Sequence, residues 1–237
     1  QAITPRTRLI MFSSPCNPSG SVLTRPELEA LAEVVRKHPD IYVVADEIYE
    51  HIIFEGDHIS FASLPGMAER TITVNGLSKA FALTGWRLGY IGAPLWIAQA
   101  ANKVQGQFTS GTNSMAQRVA KACVEADPAV LLPMRNDFLR RRDLVLAALQ
   151  RIPGWKCNVP QGAFYLLPDV SASIDGRTIK GSVDLSLYLL DTAGVSLVEG
   201  KSFGAEGTLR ISYATSDAKL TEAMERVAKG IAQLASR

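Results

Sequence analysis

The chain has 237 residues, 47% hydrophobic and 20% charged, enough for one large domain, or a large and a small one, with a core buried unaided. Its 25 basic and 23 acidic side chains leave a formal charge of only +2, which argues against intrinsic disorder, a coiled coil and nucleic-acid binding driven by bulk charge. The longest membrane-like uncharged run, Leu88 to Asn102, is broken by Gly89, Gly92 and Pro94 and is too short to span a bilayer, so a soluble chain with no membrane partner is expected.

Arg8-Leu-Ile-Met-Phe12 is a short apolar run ended by Ser13-Ser14-Pro15-Cys16-Asn17-Pro18-Ser19-Gly20, which predicts a strand and a tight turn. Thr24 with Glu27 forms a capping box. Leu28, Leu31, Val34 and Val35 then mark one helical face until His38-Pro39 ends it. Ile41 to Ala45 is nearly all apolar, the pattern of a parallel strand covered on both faces, and it ends at Asp46-Glu47. Thr71 to Val74 repeats the pattern before Asn75-Gly76-Leu77-Ser78-Lys79, and Leu88 to Gly92 makes a fourth run after Gly85-Trp86-Arg87. Strands alternating with helices imply a doubly wound α/β layer.

Helices are expected over Asn113–Ala126 and Met134–Gln150, the second passing through Arg140-Arg141-Arg142, read as a solvated face because Asp137 and Asp143 flank it. Beyond Trp155 the texture changes to short strands, at Gly162–Leu167, Val195–Val198 and Thr208–Tyr213, as in a second, α+β domain. A last helix is capped by Ser216 and carries Leu220, Met224, Val227, Ile231 and Leu234 on one face. The expected domains are 1–135 and 136–237.

Three distant cysteines, Cys16, Cys123 and Cys157, suit neither a disulfide framework nor a metal or redox pair, and point to a reducing, cytoplasmic setting. His38, His51 and His58 have no metal-ligand spacing, so no metal site is expected. Gln1 to Arg8 lacks the apolar stretch of a secretory signal and runs directly into a strand, as if the chain began in mid-protein.

Open α/β sheets bind ligands beyond the carboxyl ends of their strands. Asn17, Asp46 with Tyr49, Lys79 and Arg87 fall there. An acid, a phenol, a lysine and an arginine at successive strand ends suit an anionic, aromatic, carbonyl-bearing cofactor, and pyridoxal 5′-phosphate has those features.

These residues also carry a resemblance. Asn17-Pro18-x-Gly20, Asp46-Glu47-Ile48-Tyr49, Ser78-Lys79-Ala-Phe81, Thr84-Gly85-Trp86-Arg87-Leu88-Gly89-Tyr90 and Arg210-Ile-Ser-Tyr213 resemble, in order and spacing, the motifs of fold-type-I pyridoxal-phosphate aminotransferases. The likeness is greatest to the bacterial aspartate and prephenate branch, through Ala45–His51, Thr73–Gly76, Gly162–Tyr165 and Arg210–Ser216. It extends over essentially the whole chain and matches only the later part of the family's chain.

The resemblance implies a doubly wound, mostly parallel sheet with a C-terminal α+β domain, and a homodimer acting on an amino acid and a 2-oxo acid. Lys79 would form the Schiff base with the cofactor and shuttle the proton at substrate Cα; Asp46 would keep the pyridine nitrogen protonated; Tyr49 and Asn17 would reach the 3′ oxygen. Arg87 would grip the phosphate, with Ser78 a second candidate, since Gly76 stands where many relatives have a phosphate-binding serine. Arg210 would clamp the substrate carboxylate with help from Asn17, and Phe164 and Tyr165 would line the cleft, although strand aromatics are equally core residues. Thr109 and Ser110 would reach a neighbouring subunit's cofactor, and Glu47 would be structural. The family's N-terminal segment, with a phosphate loop and a ring-stacking aromatic, has no counterpart here. Rival readings are another fold-type-I lyase or synthase, the effector-sensing domain of a transcription regulator, or an inactive subunit that only dimerises.

Overall fold

The computed structural model describes residues 2–236. The chain divides into two compact units: one holds the residues up to Cys16 together with Val22–Leu132, the other Asn17–Ser21 together with Pro133 onward.

The first unit contains β1 (Leu9–Ser13), α1 (Arg25–Arg36), β2 (Tyr42–Asp46), β3 (Thr71–Gly76), β4 (Gly89–Gly92), α2 (Leu95–Phe108) and α3 (Ser114–Val124). The Thr24 amide and hydroxyl both donate to Glu27, at 2.8 and 2.7 Å, which starts α1 where the capping box predicts. At its other end the Arg70 guanidinium donates to the carbonyls of Val35, His38 and Ile41. Between these ends Leu28, Ala32 and Val35 pack on Val43 and Ala45 of β2 and on Phe61, Leu64 and Met67.

The sheet order is β1-β2-β3-β4, with β1, β2 and β3 parallel and β4 antiparallel to β3. The registers set Ser13 beside Asp46 and Asp46 beside Val74, so the carboxyl ends of three strands finish in one row. A connection with no α-helix, in which Ala82 and Arg87 stand in the left-handed region at φ 52° and 51°, returns the chain as β4, antiparallel to β3.

The structure corrects the expectation that β2 is covered on both faces. Val43 and Ala45 are fully buried, whereas Tyr42 and Val44 on the other face are half-buried, Tyr42 meeting Trp96 edge-on at 5.5 Å. The membrane-like run is divided between β4 and α2, with Pro94 at the N-cap of α2. Among the described residues no helix is long and apolar enough to cross a membrane.

The second unit contains all of α4 (Leu132–Leu149) after its first residue, then β5 (Tyr165–Leu166), α5 (Ser182–Ala193), β6 (Val198–Glu199), β7 (Leu209–Ser212) and α6 (Asp217–Ala235). β7 lies between β5 and β6, antiparallel to both. The sequence reading missed α5. Its start has no side-chain cap of its own and is held instead by Glu206, which accepts the Ser182 amide at 2.7 Å. Its end is the left-handed Gly194. α6 begins at the predicted cap, Ser216, and buries Leu220, Met224, Val227 and Ile231. Gly230 lets α5 and α6 approach, and the Tyr188 hydroxyl donates to its carbonyl at 2.9 Å.

The arginine triplet is not a solvated face throughout. Arg140 and Arg141 pair with Asp217 at the start of α6, while Arg142 is buried, donating to the Pro160 carbonyl at 2.9 Å and to Asp143. Residues 17–21 join this unit because Gly20, at φ 69°, accepts the amides of Gln161 and Gly162 through its carbonyl. A Cβ there would lie 2.4 Å from Pro160 Cβ and 2.8 Å from the Gly162 oxygen.

Candidate active site

The first unit presents Asp46, Tyr49, Ser78, Lys79 and Arg87. Asp46 ends β2, and the chain on either side of its side chain is pinned: its carbonyl accepts the Ser14 amide at 3.1 Å, and the next amide, of Glu47, donates to Val74 at 2.9 Å. Its Oδ1 accepts the Ile48 amide at 3.2 Å, closing an Asx turn. That turn carries Tyr49 into the interior, where its ring centroid lies 5.9 Å from Lys79 Nζ, within cation–π range.

Lys79 stands in the single turn that follows β3, behind half-buried Ser78. Asn75 locks the end of β3: its Nδ2 donates to Glu50 at 2.6 Å and its Oδ1 accepts the Gly76 amide at 2.7 Å. Gly76 faces Gly89 of β4, and a Cβ on it would lie 3.0 Å from the Leu88 oxygen and 3.1 Å from Gly89 Cα. The glycine at this position therefore has a packing cause in this chain. Arg87 is exposed and folds one guanidinium nitrogen back to the Thr84 carbonyl at 2.9 Å.

The second unit holds Asn17 and Arg210. Arg210, on β7, donates from Nη1 to Asn17 Oδ1 at 2.9 Å. Its guanidinium carbon lies 4.7 Å from the Tyr165 ring centroid and 5.0 Å from that of Phe203. Its Nε–H is buried and has no acceptor among the described residues. A buried guanidinium donor without an acceptor is costly, and a carboxylate is the group whose paired oxygens match that fork.

Phe164 is buried. Its ring stacks on Phe138 of α4 at 5.1 Å and touches Tyr165 at 4.7 Å. Phe203, which the sequence reading passed over, is the aromatic that joins Tyr165 around Arg210. It lies in a one-turn segment, Gly200–Phe203, with no periodicity to mark it. Thr109 and Ser110 are exposed at the end of α2, Ser110 at φ 61°.

Burial raises the phenol of Tyr213, whose hydroxyl donates to the Ala163 carbonyl at 3.2 Å, so that it stays protonated as a structural donor. Burial, and then the nearby charge of Glu50, also raises Tyr90. All three cysteines are free thiols, and burial pushes Cys157 up to about 11, away from nucleophilic chemistry. Ligand atoms of Glu47, Glu50 and His58 lie within 4.8 Å of one another. They are already engaged: His58 Nε2 is 3.0 Å from Glu47 Oε2, and Glu50 accepts Asn75.

The family model described as aminotransferase class I and II matches residues 1–227. A bifunctional aspartate aminotransferase and glutamate/aspartate-prephenate aminotransferase of Petunia hybrida is 48% identical over 97% of this chain and 50% of its own length. An aspartate aminotransferase of Rhizobium meliloti is 43% identical over 96% and 57%. The solved aspartate aminotransferase of that organism superposes with a TM-score of 0.93 at 41% identity, covering 97% of this chain and 59% of its own. The aromatic aminotransferase of Pyrococcus horikoshii gives 0.92 at 41%, covering 98% and 61%. The chain thus spans between half and about three fifths of the length of these relatives. A match that runs nearly end to end, on a fold that agrees as closely as the sequence does, makes this chain a member of the aminotransferase class I and II family.

Proposed function

We propose that the chain carries part of an aminotransferase site that moves an amino group between an amino acid, with an aspartate-like acid first among candidates, and a 2-oxo acid, using pyridoxal 5′-phosphate held on Lys79. The observation that carries this reading is the approach of Lys79 Nζ to the Tyr49 ring, on the turn that Asp46 opens at the neighbouring strand end. Amine, phenol and carboxylate are the donor set that a pyridine aldehyde with a ring hydroxyl requires.

The cofactor supplies a conjugated, electron-withdrawing ring. The protein does the rest. Asp46, oriented by the Ile48 amide, accepts a charge-assisted hydrogen bond from the protonated ring nitrogen. Tyr49, whose ring lies 5.9 Å from Lys79 Nζ, would donate its hydroxyl to the ring oxygen. Lys79 would hold the cofactor through its aldehyde carbon, and its amine would serve as the base that takes and returns the proton at substrate Cα. Arg87 presents its fork to the phosphate, with Ser78 as a further hydroxyl donor.

In the second unit Arg210 binds the substrate α-carboxylate. Asn17 and the two aromatic faces fix the plane of its guanidinium, and its unsatisfied Nε–H supplies a donor. The aspartate and aspartate-prephenate aminotransferases among the relatives favour amino-group transfer to or from a dicarboxylic acid. Adding pyridoxal phosphate, reducing with borohydride and mapping the adduct by mass spectrometry tests the reading. Label confined to Lys79 supports it, and label spread over surface lysines overturns it.

A further inference from the structure

Glu47 follows Asp46 and points to the opposite face of β2, the face on which Val43 and Ala45 are fully buried. A carboxylate in that place is costly unless its oxygens are paired. Both are: Oε1 accepts the Phe61 amide at 3.0 Å, and Oε2 lies 3.0 Å from His58 Nε2. The side chain is only 4% exposed and that of His58 14%. The backbone of the same residue is tied as well, its amide to Val74 at 2.9 Å and its carbonyl to the Glu50 amide at 2.9 Å. Four bonds in three directions converge on the residue between Asp46 and the turn that carries Tyr49.

Packing alone does not call for this arrangement, because an apolar side chain of similar volume would continue the face of Val43 and Ala45 without the desolvation of a charge. What a carboxylate adds is direction, since it fixes the turn at 46–49 against the loop at 58–61 by bonds that tolerate little displacement.

We propose that Glu47, gripped by His58 and the Phe61 amide, is a positioning residue that sets the aim of Asp46 and Tyr49 on the cofactor. The role acts through the backbone, and it rests on the function proposed above. Glu47→Leu keeps the volume and removes both side-chain bonds, whereas Glu47→Gln keeps an acceptor for Phe61.

In the cofactor-free chain, amide exchange at Ile48, which bonds Asp46 Oδ1, rises about tenfold in Glu47→Leu, the size of one lost hydrogen bond, and less in Glu47→Gln. Exchange at Val43 stays unchanged. In the cofactor-loaded chain, the pH midpoint of the visible absorbance of the Lys79 adduct shifts by about one unit in Glu47→Leu and is largely restored in Glu47→Gln. A purely structural residue would lower thermal stability and leave that midpoint in place. Label at Lys79 with unchanged midpoint and unchanged Ile48 exchange overturns the positioning role alone. No label at Lys79 in the unsubstituted chain overturns the proposed function and this role with it. Should Glu47→Leu fail to fold, Glu47→Gln and His58→Gln decide the matter by the same two readouts.

Discussion

The two units complete their cores differently. In the second, α6 turns Leu220, Met224, Val227 and Ile231 inward and α5 buries Leu185 and Leu189. In the first, α2 buries none of its residues: Leu95 is 73% exposed and Phe108 81%, and Met115 on α3 is 71% exposed. α2 and α6 hold similar proportions of apolar residues, so composition does not decide which becomes interior. A neighbouring layer does. Exposed apolar side chains on this scale are more than scattered surface leucines. The residues proposed for the site are divided too, with Asp46, Tyr49 and Lys79 in the first unit and Asn17 and Arg210 in the second.

The largest effect that would sharpen this division is chemical. Lys79→Ala removes the borohydride-reducible adduct entirely, while Arg210→Ala retains it at Lys79 and weakens only the response to amino acids; mass spectrometry and absorbance titration separate the two. If both variants lost the adduct, the roles would not be divided as described.

Next come paired truncations of leucines. Leu189→Ala, from a fully buried position on α5, costs about 2–5 kcal/mol through lost burial and a residual cavity. Leu95→Ala on α2 changes stability by less than about 0.5 kcal/mol. Urea unfolding followed by circular dichroism measures both, and equal losses would break the comparison.

Gly20→Ala should destabilise by about 1–3 kcal/mol through backbone strain, because the left-handed backbone and the Pro160 and Gly162 contacts leave no room for a methyl. The same urea titration reads it. A neutral result would show that residues 17–21 are not held to the second unit by this contact.

The smallest effect is acid sensitivity. Hydrogen bonds from Ser171 lower Asp169, amides of Ile179 and Arg177 lower Asp175, and the Ser182 amide lowers Glu206. In the first unit, bonds from Thr24 lower Glu27. Each folded value is depressed, so its stabilisation is present above the ordinary carboxylate range and disappears as the pH falls through the folded value. Four such groups in the second unit, Glu199 with its bond from Ser202 being the fourth, against one in the first predict earlier loss of α5 signals than of α1 signals below about pH 4, followed by two-dimensional NMR.

Local signals found most elements. The Thr24–Glu27 pair located α1, the Ser216 cap located α6, and the apolar runs located β1 to β4. They failed at α5, whose start is held by Glu206 from a distant loop and not by its own side chain. They also failed at α2, whose residues have no buried stripe to impose a period. Among the candidate site residues, Asp46, Tyr49 and Lys79 stand at the strand ends where the motif order put them. Phe164 went to the core because Phe138, 26 positions earlier in the chain, offers its ring a stacking partner.

Composition and spacing thus determined the alternation of strands and helices and the identity of the polar residues at the strand ends, since these depend on neighbours a few positions away, and the resemblance of the motifs pointed to the family. The tertiary structure alone decided that β4 runs antiparallel, that Arg142 and Glu47 are buried in hydrogen-bonded positions, and that Tyr165 and Phe203 flank Arg210. Each of these rests on a partner in a separate segment of the chain, and a pairing energy between separate segments leaves no periodic trace in either.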